Sequence, residues 1–178
     1  MIAGTHAVLW LRQDSPGNDA CRFADAQGGY LIDGSATDAD WNVVRYRVRA
    51  RDDGTTRRAR IGAHSRIFVR RAPDDTWTVN GADMPAVDGA QDIDFAFTPA
   101  TLTLPIRRLK LAVGEEAEVT AASLDLADEQ LRPLHRIYRR IDADTYECRD
   151  TDTGKSAELK VDAQNIVREY PGRWKAQK

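Results

Sequence analysis

Val44-Arg45-Tyr46-Arg47-Val48-Arg49-Ala50-Arg51 alternates apolar and basic residues without a break. A strand sends successive side chains to opposite faces. The run therefore reads as a half-buried β-strand, with Val44, Tyr46, Val48 and Ala50 inward and four arginines outward. Asp52-Asp53-Gly54 follows as turn chemistry. Arg57 to Ala63 reads as a second strand, and the two form a hairpin.

The same period of two extends in both directions. Ala7 to Leu11 reads as a strand. Ile67-Phe68-Val69 and Thr76-Trp77-Thr78-Val79 flank the turn Ala72-Pro73-Asp74-Asp75, and Asn80-Gly81 is a strong hairpin signal. Ile93, Phe95 and Phe97 alternate with Asp92, Asp94 and Ala96. Further strands are expected over Thr101–Val113, Glu118–Leu126, Arg136–Ile141, Thr145–Arg149 and Ala157–Val161. Turns fall at Asp142-Ala143-Asp144 and Thr153-Gly154-Lys155, and Ile166-Val167 leads to Tyr170-Pro171-Gly172. Helical patterning is confined to Leu124–Leu134 and the residues after Thr37. About ten short strands at roughly ten-residue spacing argue an all-β roll, barrel or sandwich.

Composition agrees. The 178 residues are 42% hydrophobic and 30% charged, which is ordinary globular usage and excludes collagen-like, disordered and disulfide-scaffold classes. No apolar run reaches the roughly 18 residues a membrane helix needs. The N-terminus lacks a basic leader region, and Ala7–Leu11 is too short for a signal sequence, so a cytoplasmic protein with reduced Cys21 and Cys148 is expected. Charge is uneven. Residues 45–71 hold ten arginines against Asp52 and Asp53, a net +8, whereas residues 72–130 hold three basic against twelve acidic groups, a net −9. No Pro/Gly/Ser-rich linker separates the blocks, so residues 1–178 read as one domain.

Thr101-Leu102-Thr103-Leu104-Pro105-Ile106-Arg107-Arg108-Leu109-Lys110-Leu111 breaks the pattern. Leu102, Leu104 and Ile106 share one parity, whereas Leu109, Leu111 and Val113 share the other. A strand switches its inward face this way only at a bulge, a bend or a change of sheet, and Pro105 fits such a break. At the switch, Arg107 or Arg108 can point inward, where a guanidinium needs a carboxylate or an anionic ligand. Asp92 and Asp94 are the expected partners. Either an Arg–Asp pair sets the register, or the arginine clamps an anion or a headgroup.

These residues resemble a bacterial family of putative glycolipid-binding proteins. The resemblance rests on Asp88-Gly89, Asp92-Ile93-Asp94-Phe95, Thr98-Pro99 and Thr103-Leu104-Pro105-Ile106-Arg107-Arg108-Leu109. Val167-Arg168-Glu169-Tyr170-Pro171-Gly172 is similar to the family's closing motif, Trp77 occupies its tryptophan position, and the arginine-rich hairpin 45–61 also fits. The family often has Phe and Asn where this chain has Ala100 and Leu102, so contacts from those positions do not carry over. The resemblance spans roughly residues 30–175. It implies a spiral β-roll, one long curled antiparallel sheet or open barrel, and a non-enzymatic binder of an amphiphilic ligand such as a glycolipid. Inward apolar residues would shelter an acyl chain. Arg107, Arg108, Asp92 and Asp94 would hold the headgroup, with Trp77, Tyr46 and Tyr170 as further ligand contacts.

Other chemistries find less support. His6, His64 and His135 are isolated, so no metal site is expected. No phosphate-binding glycine loop or nucleophile elbow is present, and no cofactor is expected. Asp92 and Asp94 share a face about 7 Å apart, which would suit a hydrolase if both carboxylates were free. The outward arginines form a solvated, internally paired face, attract anionic lipid, or dock a protein or nucleic acid. A nucleic-acid role is disfavoured because Tyr46 has the opposite parity and stacking needs outward aromatics. A monomer or a homodimer is expected.

Overall fold

The computed structural model describes residues 4–62 and 66–177. Eight strands come first: β1 (Thr5–Arg12), β2 (Asn18–Ala26), β3 (Gly29–Thr37), β4 (Val43–Arg51), β5 (Thr56–Ile61), β6 (Ile67–Arg71), β7 (Trp77–Val79) and β8 (Ala82–Asp83). A 3-10 turn at Pro85–Val87 leads to β9 (Asp92–Phe95), and a second at Ala100–Leu102 runs into helix α1 (Thr103–Leu109). Six strands complete the chain: β10 (Glu116–Asp125), β11 (Gln130–Arg140), β12 (Thr145–Asp150), β13 (Ser156–Val161), β14 (Val167–Tyr170) and β15 (Trp174–Ala176).

All fifteen strands lie in one sheet, ordered β8-β7-β6-β5-β4-β3-β2-β1-β15-β14-β13-β12-β11-β10-β9. Short turns join most neighbours, which makes them antiparallel; β9 runs parallel to β10. The sheet is curled and not closed. Its far edge returns toward β5, where the Thr56 N–H donates to Gln91 O at 2.9 Å and the Ile93 N–H donates to Thr56 Oγ1 at 3.0 Å. The expected all-β curled sheet is thus the fold. At Asn80 and Gly81 both φ angles are positive, 50° and 88°, as a tight two-residue hairpin requires.

The inward parity of β4 is as read: Tyr46, Val48 and Ala50 are buried and Arg45 and Arg47 are exposed. The interior is filled by the protein's own side chains. Trp10, Phe23, Ile32, Tyr46, Val48, Trp77, Ile93 and Phe95 form one cluster, each at most 2% exposed. A second cluster holds Ile106, Val119, Tyr138, Tyr146, Leu159 and Val167. Helix α1 and the turn before it are the wedge between them, with Leu104 in the first cluster and Leu102 and Ile106 in the second. The inward residues expected to shelter an acyl chain bury one another in this structure.

Three elements differ from expectation. Residues 101–113 are not a long strand but a 3-10 turn and a seven-residue helix, closed by Lys110 in the left-handed region at φ 50°. Leu102, Ile106 and Leu109 recur at helical spacing, so the apparent switch of parity was a change of period. Pro105 is tolerated because it lies in the first turn, where its missing N–H costs little. Residues 124–134 are not helical; they are the ends of β10 and β11 and the turn joining them. The residues after Thr37 are likewise a turn, in which Asp38 Oδ1 accepts the Asp40 and Asn42 N–H groups at 2.9 Å each. Strands β2, β3 and β15 carry no expectation from sequence. His64, and the Ala63 end of the expected second strand, lie outside the described residues.

Candidate functional site

Arg108 is not free. Its Nη2 lies 2.6 Å from Asp92 Oδ2 and its Nε donates to the same oxygen at 3.1 Å. Burial pushes the Asp92 carboxyl above its ordinary value, and the Arg108 hydrogen bond and charge oppose that rise. Asp94 is paired as well, accepting Arg136 Nη1 at 2.8 Å. Burial works against the Arg136 charge, yet Asp94 holds the guanidinium above its ordinary value. With both carboxylates locked in ion pairs, the paired-carboxylate hydrolase is withdrawn.

Trp77 and Tyr46 are also committed. Trp77 is fully buried and donates Nε1 to Ala90 O at 3.0 Å. Tyr46 donates Oη to Asp19 Oδ2 at 2.6 Å, and Thr98 Oγ1 donates to the same oxygen. Asp19 is fully buried, and desolvation pushes its carboxyl up against those two donors. Neither Asp19 nor Thr98 was expected as a partner, although Asp19, Cys21 and Phe23 share one parity. Tyr170 is half-buried beneath the Arg173 guanidinium, 5.4 Å from the ring centroid. The expected site residues therefore do not converge on one cavity.

Arg107 is the exception. It sits 5.3 Å from the Tyr30 ring centroid and donates Nη1 to Gln164 O. These groups line a cavity of about 320 Å³ with Gly29, Asp52, Asp53, Gly54, Lys110 and Asn165. Four segments build it: the start of β3, the β4–β5 turn, the C-terminal end of α1, and the β13–β14 loop. Two buried atoms here, Arg107 Nε and Tyr30 Oη, have no hydrogen-bond partner among the described residues. Both atoms are enclosed by protein, with the Arg107 guanidinium set against the Tyr30 side chain, and Asp19 Oδ1, Tyr138 Oη and Tyr146 Oη are likewise unpaired away from this cavity. Gly54 permits the assembly. Its φ is 91°, and a Cβ there would lie 3.0 Å from Arg108 Cβ.

A second feature covers the outer face of β4–β6. The register sets Asp33, Arg47, Arg60 and Phe68 in one row, and Leu31, Arg49, Arg58 and Arg70 in the next. A bulge between Arg49 and Ala50 leaves Arg57 and Arg58 both exposed. Asp33 bridges Arg47 at 2.7 Å and Arg22 at 3.4 Å. No other arginine in these two rows has a carboxylate partner among the described residues, so the expected internal pairing is confined to Asp33. The outward aromatic that β4 lacks is supplied by Phe68, with the Arg60 guanidinium 5.2 Å above its ring.

Cys21 and Cys148 are free thiols, and burial pushes both above their ordinary values. No group of three or more metal-ligating side chains occurs among the described residues, and no helix is long and apolar enough to cross a membrane.

The family model described as "Putative glycolipid-binding" matches residues 7–176. The chain belongs to this family. A member of the DUF1089 family from Pseudomonas aeruginosa, with a crystal structure at 1.80 Å, is similar over 97% of this chain and 92% of its own. The two are 27% identical and superpose with a TM-score of 0.69. No curated protein matches the chain. The glycolipid-binding family label covers the whole described sheet, which makes the Arg107 cavity part of the family domain rather than of an appended segment.

Proposed function

We propose that this member of the glycolipid-binding family is a non-enzymatic binding protein that takes the hydroxyl-rich headgroup of an amphiphile in the Arg107 cavity. The observation that carries the reading is the cavity lining, which gathers Arg107, Lys110, Asp52, Asp53 and Asn165 around one opening beside Tyr30. A sugar offers many hydroxyls, each both donor and acceptor. The lining answers in kind: Arg107 and Lys110 donate, Asp52 and Asp53 accept, and the Asn165 amide does both. Two cations facing two carboxylates favour a neutral polyol over a simple anion. The volume lies at the small end of ligand pockets, and the filled interior gives a chain no lodging, so recognition is of the headgroup.

The test is titration with monomeric octyl glucoside, followed by NMR of backbone amides. Saturable shifts at Tyr30, Asp53, Lys110 and Asn165, lost in Arg107→Met, are expected. Binding that is absent, or unchanged in that variant, would overturn the reading.

A further inference from the structure

The outer face of β4–β6 carries a two-dimensional lattice of guanidiniums. Arg47 lies directly opposite Arg60, and Arg58 lies between Arg49 and Arg70. Like charges placed opposite one another across a sheet are destabilising, and among the described residues only Arg47, on Asp33, has a carboxylate to offset them, while Arg60 lies over the Phe68 ring. Arginine is also a poor choice for mere solubility but a good one for phosphate, which its planar fork meets in two bonds at once. The rows repeat about 7 Å apart along each strand and about 5 Å apart across strands, a spread in two directions rather than a groove.

The apolar groups at one end of this lattice name the partner. Val43 continues the outward parity of Arg45, Arg47 and Arg49 and is 40% exposed, and Phe68 at the start of β6 is 42% exposed. Trp41, in the loop entering β4, is 82% exposed. Its backbone sits at φ 61°, a conformation that tryptophan adopts at a cost. The turn enforces it: the Trp41 N–H donates to Asp38 O at 3.2 Å, and Asn42 Nδ2 donates to Asp38 Oδ2 at 3.0 Å. The loop spends stability to hold an indole in water. Tryptophan and phenylalanine beside a cationic surface are the combination that seats proteins at the headgroup level of a bilayer.

We infer that the outer face of β4–β6, with Trp41 and Phe68 as anchors, docks this protein on the surface of an anionic lipid bilayer. A single nucleic-acid strand fits less well: it stacks bases on a series of aromatic faces spread along a groove, whereas Trp41 and Phe68 sit at one end of the lattice and none lies among the remaining arginines. The inference stands on this face and not on the Arg107 cavity.

The test uses the full chain with vesicles of phosphatidylcholine, with and without phosphatidylglycerol, and without any glycolipid. Trp10, Trp77 and Trp174 are at most 3% exposed, so a change in tryptophan emission reports Trp41. The expected result is partition to the anionic vesicles only, weakened by salt, with emission shifting to shorter wavelength. Trp41→Phe should abolish the shift. Arg58→Gln with Arg60→Gln should lower the partition coefficient about 25-fold, roughly fivefold for each cation. That variant relieves repulsion, so its melting temperature should hold or rise. Arg107→Met should partition normally, which separates this result from the cavity reading. Equal partition on neutral vesicles, no partition, or partition without the Trp41 shift would overturn the inference. So would tighter binding of a single-stranded oligonucleotide that the same double variant abolishes.

Discussion

Arg108 holds Asp92 side-on, with Nη2 and Nε on one carboxylate oxygen at 2.6 and 3.1 Å and Asp92 only 1% exposed. The pair ties α1 to β9, and so fixes the wedge between the two core clusters. Removing one partner leaves a buried charge alone. Arg108→Met should cost about 3–5 kcal/mol in urea unfolding, and adding Asp92→Asn should restore part of it. A cost below about 1 kcal/mol would mean that water reaches the carboxylate.

Gly54 tests the same junction from the other side. At φ 91° an alanine is strained, and its Cβ would meet Arg108 Cβ at 3.0 Å and Cα at 3.2 Å. Gly54→Ala should destabilise by about 1–3 kcal/mol, because both the backbone and the neighbour must shift. A melting temperature equal to that of the parent would show that the turn can move away from α1.

Tyr30 separates binding from folding. Its buried hydroxyl has only the Arg107 guanidinium beside it, so Tyr30→Phe removes a desolvated polar group and little else. Thermal unfolding should show no loss and a gain of up to about 1 kcal/mol, while octyl glucoside binding weakens. A clear loss of stability would mean that the hydroxyl is satisfied within the protein.

Asp19 governs a pH dependence. Desolvation holds its folded carboxyl above the ordinary value. The native state therefore keeps a proton that the unfolded chain has released. The stability this contributes is full below the unfolded value and is lost as pH rises through the folded value. Asp19→Asn should flatten that fall, so that its advantage over the parent grows from acid toward neutral pH. Parallel stability curves for the two proteins from acid to neutral pH would exclude this.

Legibility in the sequence followed local density of pattern. The β4–β5 hairpin was plain because Val44 to Arg51 alternates at every position. Strands β2 and β3 were not, since glycine and alanine dilute the alternation. Gly34 is one cause: a Cβ there would come within 2.4 Å of the Tyr46 ring, so the position gives up its side chain to make room for a neighbour. Helix α1 is not legible because seven residues span barely two turns, and Leu102, Leu104 and Ile106 satisfy a period of two as readily as one of 3.6. The pairing of one of Arg107 and Arg108 with Asp92 is legible in the sequence. Which arginine remains available is not. That depends on Tyr30 and Gln164, which three-dimensional folding alone brings to α1.

Strands β1 and β15 meet through Trp10 opposite Ala176, at the middle of the sheet rather than at its rim. On either side of that seam, hairpins can zip through local turns. The seam itself must wait for segments from opposite ends of the described chain to find each other, the slow kind of contact in folding. Until then the protein is two half-sheets, each offering a bare strand to any neighbour. A chain stopped short of Trp174 would keep that bare strand on β1, and its fate would be self-association rather than a smaller version of the same fold.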